Sequence, residues 1–599
     1  MRNSLVNWIR CAAAAVVLLA AQSCDEAGGY EGGSAPVTWR EHTSMSVSSA
    51  GVSFEFSFTT RAAWRAYSDN PSMLTIVSET SGPLGTNRMK VEVAGNDSGS
   101  ERQCNIMITV EGYEPQPLLT VTQSVSTHSD YAVNRDYTDK LLEENYLWND
   151  EYKRLTRNFE QEYDAFLENT LMSMKENVED GSVDEKGNRT RLYSYITRTR
   201  ASSRSVEKKT AEPTFGVLNV VLVSFYDQSG KPTGEYALCL QGVYPDTPAA
   251  KAGLHRGTWV LKADGKALTA SNINQVFASL VASPTEGSTM RLTVMDEYSA
   301  AAEQKEVTLT AVSMALNPVL HSQVIERNGT KTGYLVYGNF EASFDDELLA
   351  EIRRFRTEGI GELVLDLRVN GGGHVISSQM LSSIIAGTQG DGKTFVKMEY
   401  NPSRMSQLGY SFPDNMFAYE FGPDAAHQGE RISEYSRADY LSLQRVFILV
   451  SGSTASASEL TFSSLQGIDF PVTLIGERTE GKNVGMEPRL FTCDGYEYTF
   501  YPITFRSYNA KNVSCDHHGT KPDYEVSEWT AGGNSYWPWG SDKDPVLGKA
   551  LELITGVRAQ PTRAAAGAVR ARPERYFRTP RGGMIAPLPA EEQRDSFEF

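Results

Sequence analysis

Residue patterning predicts a multidomain chain: an N-terminal all-β sandwich, a helical segment, a compact β-rich unit with helices, and an α/β core. Three observations carry this reading. Apolar and polar residues alternate between Val37 and about Val125, as in Val52-Phe54-Phe56-Phe58 and Ile106-Ile108-Val110, which is the period of half-buried strands. Tyr137, Leu141, Leu142, Tyr146 and Trp148, then Phe159, Tyr163, Phe166, Leu167 and Leu171, recur at helical spacing. After Thr332, wholly apolar runs alternate with amphipathic helix patterns, as layered α/β cores do. At roughly 150 residues per domain, 599 residues accommodate about three to five domains.

Composition excludes several classes. Lys and Arg number 57 against 75 Asp and Glu, a formal net charge of -18, so no nucleic acid is expected as a partner. Six cysteines include no CxxC pair, and no HExxH occurs, so neither a disulfide scaffold nor a metal site is expected. Cys493 and Cys515 could pair in an oxidising compartment.

Taken in order, residues 1–24 read as a signal segment. Arg2 and Arg10 precede the run Cys11 to Ala21, which is shorter than the roughly 20 residues that span a bilayer. Residues 25–36 read as a linker, 37–126 as the sandwich and 127–212 as the helical segment, with a charged loop from Asp180 to Arg191. Residues 213–313 form the β-rich unit and 314–557 the core. In the core, Leu363 to Leu367, Val446 to Val450 and Val472 to Ile475 read as buried strands. Ser343 to Arg356 reads as a helix with Asp345, Asp346 and Glu347 at its positive end. Residues 558–599 are poor in large aliphatics and read as a disordered tail.

Chemistry concentrates in three segments of the core. Ser451-Gly452-Ser453-Thr454-Ala455-Ser456-Ala457-Ser458-Glu459 follows a buried strand and opens a helix. A serine there faces free N–H groups and the positive end of the helix dipole, although Ser456-x-x-Glu459 also fits a capping box. Gly476-Glu477-Arg478-Thr479-Glu480-Gly481-Lys482 follows the next strand, and a desolvated lysine can serve as general base. Asp366-Leu367-Arg368-Val369-Asn370-Gly371-Gly372-Gly373 supplies a Gly turn able to offer an N–H to an oxyanion.

These segments, with Gly519-Thr520-Lys521-Pro522-Asp523, resemble the C-terminal processing (tail-specific) serine peptidases. The resemblance implies a crotonase-like core, Ser456 as nucleophile and Lys482 as base. It also implies Gly372 and Ala457 as oxyanion donors, Glu459 and Thr479 as supporting residues, and no cofactor. Better-known members carry Gln where Met486 stands, so Thr479 and Glu459 are the candidates to orient Lys482. Phe215-Gly216-Val217-Leu218, with the stretch Gly242 to Leu254 and Asp264-Gly265, resembles a PDZ domain. That implies a groove at Phe215, Gly216, Val217 and Leu218 which takes protein or peptide C-termini as an added strand. Trp64, Leu74-Thr75-Ile76-Val77, Ser81-Gly82, Val91 and Leu119 to Gln123 resemble a BACON domain, a family associated with glycan binding. Ala21-Gln22-Ser23-Cys24 resembles a lipobox, which implies a lipid anchor on Cys24 and a cell-envelope, periplasmic or outer-membrane surface location.

Rival readings stay open. A Ser-His-Asp hydrolase would use His374, or Asp516-His517-His518, but there is no Gly-x-Ser-x-Gly elbow. A surface-tethered peptide- or glycan-binding protein would keep a dead peptidase core. The chain end, Ser596-Phe597-Glu598-Phe599, is apolar and could enter the groove beside Phe215 to Leu218.

Overall fold

The computed structural model describes residues 35–557 except 48–51, 97–100, 124–129, 184–186, 201–210, 227–231, 270, 283, 297–301, 410–415, 425–432, 494–495 and 529–535, together with the backbone of 570–576 and 584–585. Cys24 and Phe599 lie outside the described residues. The chain divides into two compact units. One comprises residues up to Leu141 with Arg154–Met174 and Tyr195–Arg198; the other comprises Leu142–Lys153, Lys175–Ser194 and everything from Thr199.

The first unit holds two sheets over one apolar core. In one, the order is Val37–Arg40, Val52–Thr60, Gly85–Val93, Leu74–Ile76; in the other, Ser44–Val47, Gln116–Gln123, Arg102–Val110, Trp64–Ser68, Ser81–Gly82. Period-2 alternation puts Phe54, Phe56 and Phe58 inside, and Phe58 meets Trp64 edge-on with ring centroids 4.9 Å apart. Each such buried side chain contributes about 1.5–3 kcal/mol. Helices follow at Val133–Thr138, a π turn continuing as Asp139–Asn145, and at Tyr163–Met172. Within this unit Asp130 accepts the Tyr163 N–H (3.0 Å) and pairs with Arg198 (3.1 Å).

Helix does not continue to Arg200 as the sequence predicts. Ser182–Val183 pairs with Arg189–Arg191, inside the stretch expected as a loop, and Tyr195–Arg200 is extended. The Thr- and Tyr-rich run from Thr190 to Thr199 favours strand, since β-branched and aromatic side chains suit a half-buried pleat.

In the second unit a sheet runs Lys305–Thr310, Thr289–Met295, Trp259–Ala263, Pro232–Val243, Val217–Tyr226, Arg570–Tyr576. Its last strand falls within the stretch 558–599 that the sequence reads as a disordered tail. Residues 570–576 pair antiparallel along Val221 to Tyr226, and Met584–Ile585 forms a further short strand.

The core sheet has the order Val319–Arg327, Thr330–Tyr337, Glu362–Asp366, Val446–Val450, Val472–Gly476, Tyr524–Glu525, and all strands from Thr330 onward are parallel. Helix Asp345–Glu358 buries Leu348, Leu349, Ile352 and Phe355 and stops at Gly359, whose φ of 71° needs no Cβ. The carboxyl ends of the parallel strands open into the loops at 367–373, 451–456 and 477–483. No disulfide joins Cys493 and Cys515. The Cys515 thiol sits against the Glu459 carbonyl (3.9 Å), and burial pushes it up to about 12.

A buried guanidinium fixes the first of those loops. Arg368 lies between Asp366 and Asp544, each 2.6 Å away, and Tyr334 donates to Asp366 (2.7 Å). Asp544 also caps helix Pro545–Thr555 by accepting the Val546 N–H. Removing one partner of a buried pair leaves an uncompensated charge, so Asp544→Ala should cost about 3–5 kcal/mol. Urea denaturation measures this; a loss below about 1 kcal/mol would show that Asp366 and Glu528 suffice to hold Arg368.

Candidate active site

Three loops meet at the carboxyl edge of the core sheet, and small side chains let them. Thr454 Oγ1 donates to the Leu367 carbonyl (2.9 Å), Ser451 Oγ to the Arg368 carbonyl (2.5 Å) and Ser458 Oγ to the Asn370 carbonyl (3.1 Å). The hydroxyls of the Ser/Thr-rich motif thus satisfy buried carbonyls of the Gly turn, which would otherwise be costly orphans.

Ser456 precedes helix Ala457–Gly467 with φ 62° and ψ -116°, a left-handed conformation unusual for a residue with a Cβ. It is fully buried, and its Oγ has no hydrogen-bond partner among the described residues. The capping-box arrangement that the sequence allows is present, with the Ser456 N–H donating to Glu459 Oε2 at 3.0 Å.

Glu459 is the hub. Its Oε2 also accepts the Lys482 backbone N–H (2.8 Å), while Oε1 accepts the Gly481 N–H (3.0 Å) and the Thr479 hydroxyl (2.6 Å). Burial pushes this carboxyl up, and those donors pull it back. Thr479 in turn accepts the Thr520 N–H (2.7 Å), bringing the late Gly519-Thr520 motif beside the loop. Glu459 and Thr479 therefore act on the backbone that carries Lys482.

Lys482 is 1% exposed, and its pKa is lowered to about 7. Desolvation is the main cause; the Arg191 charge adds to it, while Asp180 and Glu459 oppose it. Its Nζ lies 4.5 Å from the centre of the Tyr193 ring. That ring is held by its hydroxyl, which donates to Glu480 Oε1 (3.2 Å). Asp180 is wholly buried and accepts from Tyr146, Tyr193 and Ser194. Sequence reading missed Asp180, Arg191 and Tyr193, because no motif links them to a lysine nearly three hundred residues away. Met486 is buried in the strand Val484–Met486.

Gly372 touches the serine. A Cβ there would lie 2.8 Å from Ser456 Cβ and 2.9 Å from the Ala457 nitrogen, and its φ is 109°. Its own N–H donates to Asn370 Oδ1 (2.9 Å). His374 turns Nδ1 to the Phe340 carbonyl (3.1 Å), and among the described residues no histidine is hydrogen-bonded to Ser456 Oγ. Asp516, His517 and His518 cluster on the loop before Gly519, with Asp516 and His518 exposed. In the β-rich unit, Phe215 is buried, and the Gly216 N–H donates to Thr214 Oγ1 (2.9 Å). Val217 and Leu218 begin the strand on which 570–576 pairs, starting three residues beyond Leu218 at Val221.

Residues 331–526 match the model of peptidase family S41. A carboxyl-terminal-processing protease of Picosynechococcus is 28% identical over 313 residues, 52% of this chain and 65% of its own length. One of Synechocystis is 25% identical over 313 residues, 52% of this chain and 63% of its length. The chain thus matches just under two thirds of each of these relatives. A crystal structure of a protein assigned as an S41 protease, from Bacteroides fragilis, aligns with TM-score 0.53 and 23% identity over 70% of this chain and 96% of the other, a likeness of fold.

Because burial and the Arg191 charge both depress the Lys482 ammonium, removing either should raise its pKa. Tyr193→Ala and Arg191→Gln should each move it from about 7 toward the ordinary lysine value of about 10.4. The pH dependence of Lys482 acylation by a small anhydride, which releases carboxylate, measures the shift; an unchanged midpoint in both variants would refute the assigned causes.

Proposed function

We propose, from the premise that residues 331–526 belong to peptidase family S41, that this protein is a serine endopeptidase of the C-terminal processing type working through an acyl-enzyme. One observation carries the reading. The backbone amides of Ser456 and Lys482 share a single oxygen of Glu459, with the serine Oγ unbonded and the lysine held near neutrality.

In this scheme Ser456 Oγ attacks the substrate carbonyl carbon and passes its proton to neutral Lys482 Nζ. The oxyanion accepts from the Ala457 N–H at the helix start and from the Gly372 N–H, which Asn370 Oδ1 must share or release. Collapse breaks the C–N bond, and the Lys482 ammonium returns the proton to the leaving amine. Water then attacks the ester, again with Lys482 as base, and frees Ser456. The Gly turn has no room for any other residue, so Gly372→Ala should abolish turnover.

Substrate chains with accessible C-termini would enter along the PDZ-like edge, with Phe215, Gly216, Val217 and Leu218 receiving the carboxylate end. That reading is supported by the ability of the Val217–Tyr226 strand to accept an antiparallel partner. Lipid anchoring through Cys24 at the cell envelope, and glycan binding by the N-terminal sheets, complete the proposal. Radiolabelled palmitate incorporation lost in Cys24→Ala tests the anchor, and glycan-array binding by the whole protein tests the sheets.

A synthetic peptide ending in an apolar residue tests the chemistry. Ser456→Ala should bind it and not cleave it. Lys482→Ala should lower kcat by about 10²–10⁴ with affinity nearly unchanged, since a general base acts in the transition state. Lys482→Arg should be as damaging, because guanidinium stays protonated. Activity should rise with pH through about 7, as the amine loses its proton, and level off above. His374→Ala should leave that profile intact; an active Lys482→Arg enzyme would exclude the dyad.

A further inference from the structure

Two strand pairings in the second unit involve the same C-terminal stretch. Residues 570–576 run antiparallel to Val217–Tyr226, from Arg570 opposite Tyr226 to Tyr576 opposite Val221. The stretch therefore travels toward Phe215 to Leu218, the direction in which an added chain end reaches a PDZ-type loop. Met584–Ile585 then fills the space between two strands of the active-site edge. Met584 is opposite Gly373 on one side and Gly485 on the other; Ile585 is opposite His374 and Met486.

The location of the second pairing matters. Gly373 follows Gly372, the residue in contact with Ser456, and its other side is already bridged to Phe340. Gly485 lies three residues after Lys482. Neighbouring strands in a sheet are about 4.8 Å apart, so an extended chain between these two lies against strands that adjoin, in sequence, the Gly turn and the lysine loop. Residues 576 and 584 are separated by eight steps of at most about 3.6 Å, which lets one chain reach from the first edge to the second. Charge favours the same placement. Residues 558–581 carry seven arginines and one acidic residue, in a chain of net charge -18.

We propose that residues 570–576 and 584–585 are a built-in competitor for the polypeptide path, the first stretch occupying the Val217–Tyr226 edge and the second the gap between Gly373–His374 and Val484–Met486. Main-chain pairing does the recognising, so the surface fits an extended polypeptide of varied sequence, and the chain's own tail is its resident occupant. A tethered strand acts at roughly millimolar effective concentration, so an incoming chain must displace it. The expected occupant is thus this internal stretch; Phe599, the chain end that the sequence nominates, is not needed.

The proposal rests on the peptidase reading for its consequence, but its test needs no turnover. Full-length protein carrying Ser456→Ala is compared with the same variant lacking 558–599, using a fluorescein-labelled peptide of residues 568–588 as probe. The shortened protein should bind the probe at least ten-fold more tightly than the full chain. Equal affinity, or no binding to the shortened protein, overturns the proposal. In the full chain, Arg572→Pro with Arg575→Pro removes two backbone donors from the strand and should reproduce the gain without truncation. With Ser456 restored, the shortened enzyme should show a several-fold lower KM for an unrelated apolar-ended peptide. Absence of cleavage by every form would sink the peptidase reading alone, because probe displacement is read in the inactive variant.

Discussion

A single buried carboxylate organises the functional half of this molecule. Glu459 sits in the first turn of its helix and collects four donors from two chain segments that meet only in the folded state. An ionised carboxylate in a dry interior is tolerated only when such bonds replace its water. The same bonds fix where the serine and lysine backbones lie. Replacing Glu459 would therefore disturb geometry and stability together, and neither serine nor lysine could be positioned independently of the other.

Around that centre, the fold works by delivering loops to one sheet edge. Parallel strands end together, and open α/β sheets place their chemistry beyond the strand carboxyl ends. Here the Gly turn is anchored from below by Arg368, Asp366 and Asp544, and from the side by the hydroxyls of Ser451, Thr454 and Ser458. Each anchor satisfies a group whose burial would otherwise be unfavourable. These bonds hold the loops in place, while the Ser456 hydroxyl makes no hydrogen bond to the described residues.

Much of this was readable from residue order. Apolar runs followed by Ser- or Gly-rich turns mark the ends of buried strands, so Ser456, Lys482 and Gly372 could be placed at one edge before any coordinates. Glu459 and Thr479 were also visible, but as candidates to hold the lysine side chain; the structure shows them holding its backbone. The cover formed by Asp180, Arg191 and Tyr193 was not legible, since charge and ring contacts across such sequence distances leave no periodic trace. Nor was the pairing of 570–576. Its Arg- and Pro-rich composition reads as disorder, and only an available strand edge makes it a strand. Local propensity yields to tertiary context in both cases.

The backbone at Ser456 carries one further implication. A left-handed residue with a side chain costs on the order of 1–3 kcal/mol, held in place by its surroundings. Glycine would adopt the same conformation without that penalty. The molecule is thus less durable than it could be at the serine proposed here as its nucleophile. Any lineage released from the need for that hydroxyl would gain robustness by losing it, and would keep the fold while falling silent.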